Sequence, residues 1–248
     1  MKHDLKILAY DVERTPASGH VWGIWQQNIG LSQLIQPGET VSFAARWADE
    51  PKKNIVFKST FHDGKEEMLS TLWHMMDEAD AILGYNTVGF DNKHVNTEFA
   101  LLGWAPPSPS AQIDLLKVVK KKFKFISNKL DFVSQQLGVG KKVSHEGFGL
   151  WLKVMEGDPK AWDRFRKYNE VDVHLLVDLY NRLLPWIDGH PNVSLHGGEG
   201  CPRCGSPKLQ KRGFRQTQLG HYQRYQCTRC GAWSSSGKSE SRVDVRAI

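Results

Sequence analysis

The pattern of apolar and polar positions predicts a strand-rich beginning. Residues 5–13 form a mostly apolar run that ends in two acids, which is typical of a central strand. The segments 20–25, 41–47 and 54–60 are aromatic or β-branched and are separated by turn residues. They predict an antiparallel run beside the first strand, and residues 81–85 predict one more short strand.

Helical spacing dominates the chain after these strands. Apolar residues recur at intervals of three and four, and predict helices over the ranges 64–77, 92–102, 114–124 and 129–137. Asp158 followed by Pro159 has the form of an N-cap with proline at the first helical position. We therefore expect a long helix from there to about Leu184, ended by Pro185.

The length of 248 residues allows one full domain and a small appendage. Glycine, proline and histidine are concentrated in one stretch, which predicts a linker. The predicted divisions are a main domain (1–187), a linker (188–200), a cysteine-containing module (201–236) and a disordered tail (237–248).

No apolar run reaches the ~18 residues that span a bilayer. The first apolar stretch contains acids and lacks a small-residue cleavage site, which argues against a secretory signal. We expect a protein without a membrane partner, located in the cytoplasm, or in the host cytoplasm for a viral protein.

The net charge of +6 is concentrated at the C-terminal end. Residues 201–248 contain ten lysines and arginines against two acids, a net charge of +8, whereas residues 1–200 have a net charge of −2. A basic module on a near-neutral body indicates a polyanionic partner, most often nucleic acid. The alternative is a tail that only improves solubility.

All four cysteines belong to that basic module. Cys201 and Cys204 form one CxxC pair, and Cys227 and Cys230 form the other. This spacing fits a structural zinc ion with four thiolate ligands. Disulfides or a redox motif are the alternatives, but disulfides are disfavoured in the cytoplasm. A module of this size also needs a metal because it cannot build a sufficient core alone.

Cations and aromatic residues alternate between the two pairs: Lys211, Arg212, Arg215 and Arg224 with Phe214, Tyr222 and Tyr225. Cations bind phosphates, and aromatic rings can stack on bases. The module resembles the zinc ribbons of some transposases and transcription-associated proteins. The resemblance supports nucleic-acid binding, with Arg212, Arg215 and Arg224 as candidate contacts.

Acidic residues stand at the edges of three predicted elements. Asp11 and Glu13 share one face at the end of the first strand, Asp91 opens a helix, and Tyr168 and Asp172 share one face of the long helix. Singly, these residues could be a helix cap, a core aromatic or surface ion pairs. Together, the four carboxylates could hold two divalent ions, the arrangement used for phosphodiester cleavage.

The segments DVE, GYNTVGFD and YNEVD resemble the three exonuclease motifs of the DEDD superfamily, in chain order and about 80 residues apart. Over residues 5–184 the sequence is most similar to the proofreading exonuclease domain of family-B DNA polymerases. Tyrosine four residues before the last acid is typical of the tyrosine branch. The resemblance implies an α/β fold, with an RNase H-like mixed sheet flanked by helices, in addition to the C-terminal zinc ribbon.

The resemblance also implies roles for individual residues. Asp11, Glu13, Asp91 and Asp172 would bind two Mg²⁺ or Mn²⁺ ions, and Tyr168 would orient the attacking water. The candidate contacts to the substrate strand are Asn86 and Phe90 of the second motif, and Lys129 near a run of lysines. The zinc ribbon stands where the family has a polymerase domain, so the resemblance implies the family's chemistry and leaves its proofreading role open.

These observations predict a metal-dependent 3′–5′ exonuclease that hydrolyses single-stranded DNA to nucleoside 5′-monophosphates, with the ribbon aiding binding. The expected partners are DNA single strands or 3′ ends, with RNA left open, and proteins of replication or recombination. Two alternatives remain: a structure-selective or RNA-directed nuclease, and a non-catalytic nucleic-acid-binding protein.

Overall fold

The computed structural model describes residues 5–26, 28–144, 147–197 and 199–246. The first four residues of the predicted main domain, Gly198 of the predicted linker and the last two residues of the predicted tail lie outside the described residues. The strands are β1 (Ile7–Arg14), β2 (Ser18–Gly19), β3 (Leu34–Gln36), β4 (Thr40–Trp47), β5 (Val56–Ser59), β6 (Ala81–Gly84), β7 (Ala111–Asp114), β8 (Leu209–Gln216), β9 (Gly220–Cys227), β10 (Trp233–Ser235) and β11 (Ser241–Arg242). The helices are α1 (Lys65–Glu78), α2 (Asp91–Leu101), α3 (Leu115–Lys122), α4 (Leu130–Gln136), α5 (Phe148–Met155), α6 (Pro159–Leu183) and α7 (Ser194–Gly197).

A five-stranded mixed sheet forms the centre of the main domain. Its strand order is β5-β4-β1-β6-β7. β4 runs antiparallel to both β5 and β1, whereas β1, β6 and β7 run parallel. The predicted strand at 41–47 therefore lies beside the first strand, and the one at 54–60 lies on its outer side, which is the antiparallel run that the sequence predicts. β7 and α5 have no counterpart among the predicted elements.

Helices cover both faces of this sheet. The side chains of β1 are apolar on both faces and alternate between two apolar clusters, one on each side. Leu8, Tyr10 and Val12 pack with residues of α1 and α2 on one face. Ile7 and Ala9 pack with residues of α3 and α6 on the other. The same alternation directs the acids at the end of β1 toward α6.

The long helix α6 begins as the sequence predicts. The Asp158 side chain accepts a hydrogen bond from the Lys160 amide at 2.8 Å, and Pro159 occupies the first turn. A capped N-terminus with proline at the first position fixes where the helix starts. Its buried stripe holds it against the sheet and so fixes the direction of its polar side chains.

The C-terminal module is a small antiparallel sheet that packs on the main domain. β9 pairs with β8, β10 and β11. Cys204 and Cys230 contact the apolar cluster that α6 shares with the central sheet. In the predicted linker, His190 is buried, and its Nε2 lies 2.7 Å from the Tyr180 hydroxyl. The linker is therefore packed along this part.

Two predicted features differ from the structure. Residues 20–25 form an exposed loop although their composition predicts a strand, because β-propensity expresses packing on a half-buried sheet and Trp22 has no such surface. The tail was expected to be disordered, but Ser241 and Arg242 pair with the edge of β9. Among the described residues, no helix is long and apolar enough to cross a bilayer.

Candidate active site and metal centres

β1 and α6 together hold the central acids. The side chains of Asp11 and Glu13 leave β1 on the face that α6 covers. The Asn169 amide donates to the Asp11 carboxylate at 3.0 Å and to its backbone carbonyl at 3.3 Å. Asn169 is fully buried, so this contact fixes the end of β1 against the middle of α6.

Three carboxylates converge at this junction. One oxygen from each of Asp11, Glu13 and Asp172 lies within 4.8 Å of the other two. Asp172 is 2% exposed, and among the described residues no group donates a hydrogen bond to its buried Oδ1. A buried carboxylate oxygen without a partner is costly and calls for a cation.

Asp91 lies beside this trio but outside the 4.8 Å group. It is buried at the first position of α2, and its Oδ1 accepts from the Val12 amide at 3.4 Å. Its charge is the strongest one acting on the neighbouring Asp11. The structure thus brings all four predicted acids to the same end of the sheet. Asp11, Glu13 and Asp172 form the central group, and Asp91 lies to one side of it.

A lysine that the sequence reasoning missed enters the same site. The Lys142 ammonium forms an ion pair with Asp172 and donates to the Tyr168 hydroxyl at 3.3 Å. It also lies 5.2 Å from the centre of the Tyr168 ring. The Lys142 amide donates to Asp131 at 2.8 Å, which anchors the loop after α4. The sequence holds no signal for this role, because Lys142 looks like one more lysine in a basic stretch.

The acids have raised pKa values because they are buried together. Burial and then the charges of Asp91, Glu13 and Asp172 raise the pKa of Asp11, against the effect of Lys142. Burial and the charge of Asp172 raise the pKa of Glu13 to about 8. Burial also raises the pKa of Asp91 to about 6, and that of Asp172 despite its ion pair. The cluster therefore has more negative charge than its surroundings neutralise.

These residues fit a divalent cation. The donors are all carboxylate oxygens, the ligand type that suits magnesium or manganese. The orphaned Oδ1 of Asp172 and the raised pKa values both indicate that one lysine does not supply enough positive charge. Asp11, Glu13 and Asp172 are the residues that could hold such an ion.

The family comparison agrees with this arrangement. The RNase H superfamily model RNase_H_2 matches residues 33–184, more than half of the chain. The chain belongs to the RNase H superfamily. The predicted RNase H-like fold is thus confirmed, and membership implies a nuclease-type fold that binds nucleic acid. A search of curated proteins gave no match.

The matched range of this RNase H-like domain includes Asp91, Tyr168 and Asp172, whereas Asp11 and Glu13 precede it on β1. The contact of Asn169 with Asp11 joins the two parts. The superfamily assignment therefore covers the helix side of the site, and the strand side is supported by the geometry.

The second motif forms a tight turn beside Asp91. Asn86 has a φ of 68°, and its amide donates to Asp114 at 2.9 Å. Asp114, which the sequence reasoning also missed, is buried at the end of β7 and caps α3 through the Leu116 amide. The turn leaves Asn86 and Phe90 exposed next to the acids, as a substrate contact requires.

A cavity of about 640 Å³ lies where β1 ends and α2 begins. Phe90, His94, Phe148, Trp151 and the segment Arg14–Ala17 contribute to its lining. The Trp151 indole donates to the Arg14 carbonyl at 3.0 Å, so α5 forms the wall opposite α2. An aromatic-lined cavity of this size suits a nucleobase.

The four cysteines of the C-terminal module form a second cluster. Their sulfurs lie within 4.8 Å of one another, with Cys201 and Cys230 at 3.7 Å and Cys204 and Cys227 also at 3.7 Å. None is in a disulfide. A tetrahedral site with Zn–S bonds of ~2.3 Å places sulfurs about 3.8 Å apart. The cluster is compatible with a zinc ribbon.

Glycines shape the two turns that carry these thiols. Gly205 and Gly231 have φ values of 68° and 80°, and each donates its amide to the carbonyl of the first cysteine of its pair, at 2.8 and 2.9 Å. Burial raises the pKa of the Cys227 thiol, but hydrogen bonds from the Cys230 and Arg229 amides outweigh it and lower the pKa to about 7. Such a thiol is prepared to bind metal as thiolate.

The remaining candidate contacts are exposed. Lys129 precedes α4, and the Tyr85 hydroxyl donates to the neighbouring Asn128 carbonyl at 2.6 Å, which ties this segment to the second motif. Arg212, Arg215 and Arg224 are exposed on β8 and β9. The Arg224 guanidinium lies 4.9 Å from the Trp233 ring centre, so an aromatic and a cation share this surface.

Proposed function

We propose that the protein is a metal-dependent 3′–5′ exonuclease of the DEDD tyrosine branch, which acts on single-stranded DNA. The observation that carries the proposal is the meeting of Asp11, Glu13 and Asp172 within 4.8 Å, beside Tyr168. β1 carries the first motif and α6 carries the third, and these two elements supply the four groups. Membership of the RNase H superfamily supports hydrolysis of nucleic acid as the reaction class.

Two divalent cations would be held by the four carboxylates, one by Asp11, Glu13 and Asp172, and the other by Asp11 with Asp91. When bound, such cations lower the pKa of water and stabilise the charge that develops at a phosphodiester. Asn169 would orient Asp11, because its side-chain amide donates a hydrogen bond to that carboxylate. The Val12 amide does the same for Asp91.

Tyr168 would position the attacking water. Burial and the neighbouring acids raise its pKa, so the hydroxyl stays protonated at neutral pH. Its oxygen accepts from Lys142, and the hydroxyl also hydrogen-bonds the Asp172 carboxylate. These two contacts fix the hydroxyl oxygen beside the acids, where it would accept a hydrogen bond from the water. Lys142 also offsets the charge of Asp172, so it is a positioning residue for both groups.

The surroundings suit the end of a strand. Phe90 and the cavity behind it offer aromatic faces to a terminal base, and Asn86 lies in the same turn. The exposed arginines of β8 and β9 would supply phosphate contacts on the C-terminal module, apart from the acids. We propose that the ribbon binds one structural Zn²⁺ and raises the affinity for nucleic acid.

The test is an incubation of the purified full-length protein with Mg²⁺ or Mn²⁺ and a 5′-labelled DNA strand, beside an RNA of the same sequence. We expect a ladder that shortens by one nucleotide at a time from the 3′ end and is absent with Asp11→Ala. DNA binding by Asp11→Ala should remain. The RNA arm decides the sugar preference.

Two outcomes contradict the proposal. Equal cleavage by Asp11→Ala would mean that the acids are not the reacting centre. Binding by the parent protein without metal-dependent cleavage would favour a non-catalytic nucleic-acid-binding protein.

A further inference from the structure

The loop between β1 and β4 is uncharged and apolar. Residues 15–38 contain no aspartate, glutamate, lysine or arginine, in a chain that is 24% charged. Its large apolar side chains are nevertheless exposed to solvent: Trp22 at 97%, Leu31 at 90%, Ile24 at 84% and Trp25 at 81%. Exposed apolar patches of this kind usually mark a binding surface. We call residues 20–33 the aromatic loop.

The aromatic loop has a defined stem. The Arg14 guanidinium donates to the Gly38 carbonyl, and the Thr15 amide donates to the Glu39 carbonyl at 2.9 Å. Above these contacts, β2 pairs with β3. The stem therefore holds the loop at a fixed place on the main domain.

The top of the loop is also organised by hydrogen bonds. The His20 amide donates to the Gln33 carbonyl at 2.8 Å, and the Gln33 side-chain amide donates to the His20 carbonyl at 3.0 Å. The Gln33 side-chain oxygen accepts from the Gly30 amide at 2.9 Å. One glutamine thus joins the two ends of the loop, and Trp22 and Trp25 lie in the segment between them.

The loop stands at the catalytic end of the sheet. It leaves β1 directly after Glu13 and Arg14, and its root, from Arg14 to Ala17 together with Gly38, lines the cavity at the end of β1. Phe90 and Phe148 line the same cavity and are 44% and 61% exposed. Phe90, the neighbour of Asp91 in the chain, and the root of the loop therefore line one cavity together with the aromatic residues of α5.

The chemistry of the aromatic loop selects its partner. Without lysine or arginine it offers no fixed positive charge to phosphates or to an anionic lipid surface. Aromatic side chains do bind the faces of nucleobases, whatever the sequence, and apolar residues can separate adjacent bases. We propose that the aromatic loop is a stacking platform for bases of the substrate, a few nucleotides from the strand end that lies at the acids. This inference rests on the proposed function, since it needs a nucleic-acid strand at the acids.

The test measures the affinity of a labelled single-stranded DNA in the Asp11→Ala background, where turnover does not interfere. Trp22→Ala with Trp25→Ala should weaken binding by about tenfold or more, the effect of losing base–aromatic stacking. The slope of log affinity against log salt should stay the same, because no phosphate contact is removed. Trp186→Ala, a half-exposed tryptophan after α6, is the matched control and should bind like the parent.

A second measurement asks whether base faces are the partner. Strands with abasic sites at successive positions should bind the parent more weakly when the missing bases are those that stack. The double tryptophan variant should lose this sensitivity, which the loss of a phosphate contact would leave unchanged. Repeating the series with a duplex end distinguishes unpaired bases from the last base pair as the stacking partner.

Three results would overturn the inference: unchanged affinity in the double variant, equal abasic sensitivity in both proteins, or a changed salt slope. Self-association of the parent that the double variant abolishes, with DNA affinity unchanged, would instead make the loop a protein contact. If the parent binds as expected but never cleaves, the proposed function fails while the stacking platform stands.

Discussion

The two candidate metal centres of this protein are built in opposite ways. The carboxylate centre joins Asp11 and Glu13 to Asp172 across some 160 residues of chain, and the core of the main domain holds it together. The thiolate centre gathers four cysteines from thirty residues, held by two glycine turns. The first centre depends on the fold, whereas the second helps to create the fold around it.

Their charge compensation differs as well. In the carboxylate centre, Lys142 already supplies one positive charge, and the raised pKa values of Glu13 and Asp11 show that more is needed. In the thiolate centre, amide hydrogen bonds lower the pKa of Cys227 to about 7, whereas burial raises the pKa of Cys204 and Cys230. The amides thus favour one of these thiolates, and the positive charge that the others need would come from a bound metal ion.

Loss of the thiolate centre should have the largest effect. Cys204→Ser removes one of four ligands, and zinc binding to such modules is worth on the order of 10 kcal/mol. We expect loss of zinc and unfolding of β8–β11, with the main domain still folded. Zinc content and heteronuclear NMR measure this, with Lys208→Ala as a control that leaves the sulfurs intact.

The cysteine variant also tests whether the two centres are independent. At saturating substrate it should still cleave, since no ligand of the carboxylate centre has changed. Complete loss of cleavage with an intact main domain would mean that the ribbon belongs to the reaction centre, and the comparison would fail.

Asp172→Asn should have the next largest effect. The amide keeps the shape of the side chain but removes its negative charge, which weakens the binding of a divalent ion. Such an ion supplies several kcal/mol of transition-state stabilisation. We expect cleavage to fall by about 1,000-fold, with one zinc per chain retained. A variant that cleaves within tenfold of the parent would remove Asp172 from the site.

Lys142→Met should destabilise the protein when divalent ions are absent. The substitution leaves buried carboxylates without their cation, at a cost of about 2 kcal/mol. Thermal unfolding should show this deficit, and millimolar Mg²⁺ should reduce it. Lys141→Met, at an exposed neighbour, is the matched control and should behave like the parent.

The same variant has a predicted pH dependence. The pKa of Glu13 is raised from 4.5 to about 8 in the folded state. As the pH rises between these two values, the unfolded chain loses this proton while the folded chain keeps it, so the free energy of unfolding falls. The deficit of Lys142→Met should therefore grow between pH 5 and pH 8. A deficit that shrinks over this range would mean that Lys142 does not compensate the acids.

Tyr168→Phe should have the smallest effect of the series. It removes a hydroxyl that positions water but no metal ligand, and we expect cleavage to fall by about tenfold, the low end of such positioning effects. The Michaelis constant should change little, since the aromatic ring remains. Single-turnover cleavage measures this, and a loss as large as that of Asp172→Asn would assign Tyr168 a more direct role.

Much of the fold could be predicted because its signals are local. The cap formed by Asp158 and Pro159, the helical spacing of α1 and the apolar run of β1 each depend on a few neighbouring residues. The strand predicted at 20–25 was wrong for the same reason, since its composition resembles a strand but the fold gives it no surface to pack on.

The residues of the candidate site likewise divide into those with a local sequence signal and those without one. The acids and Tyr168 could be predicted because motifs carry them, and the structure brings them together. Lys142 and Asp114 could not, because their roles arise only when a loop and a neighbouring strand fold against the motifs.

The contact of Asn169 with Asp11 has a consequence for the order of events during synthesis. The two residues are 158 positions apart, so β1 leaves the ribosome long before α6 exists. Contacts of such separation form late, because the chain between them must close first. The nascent protein can therefore not assemble its acids until the main domain is nearly complete. A truncated translation product that stops before α6 would lack Asp172 and with it the proposed nuclease site.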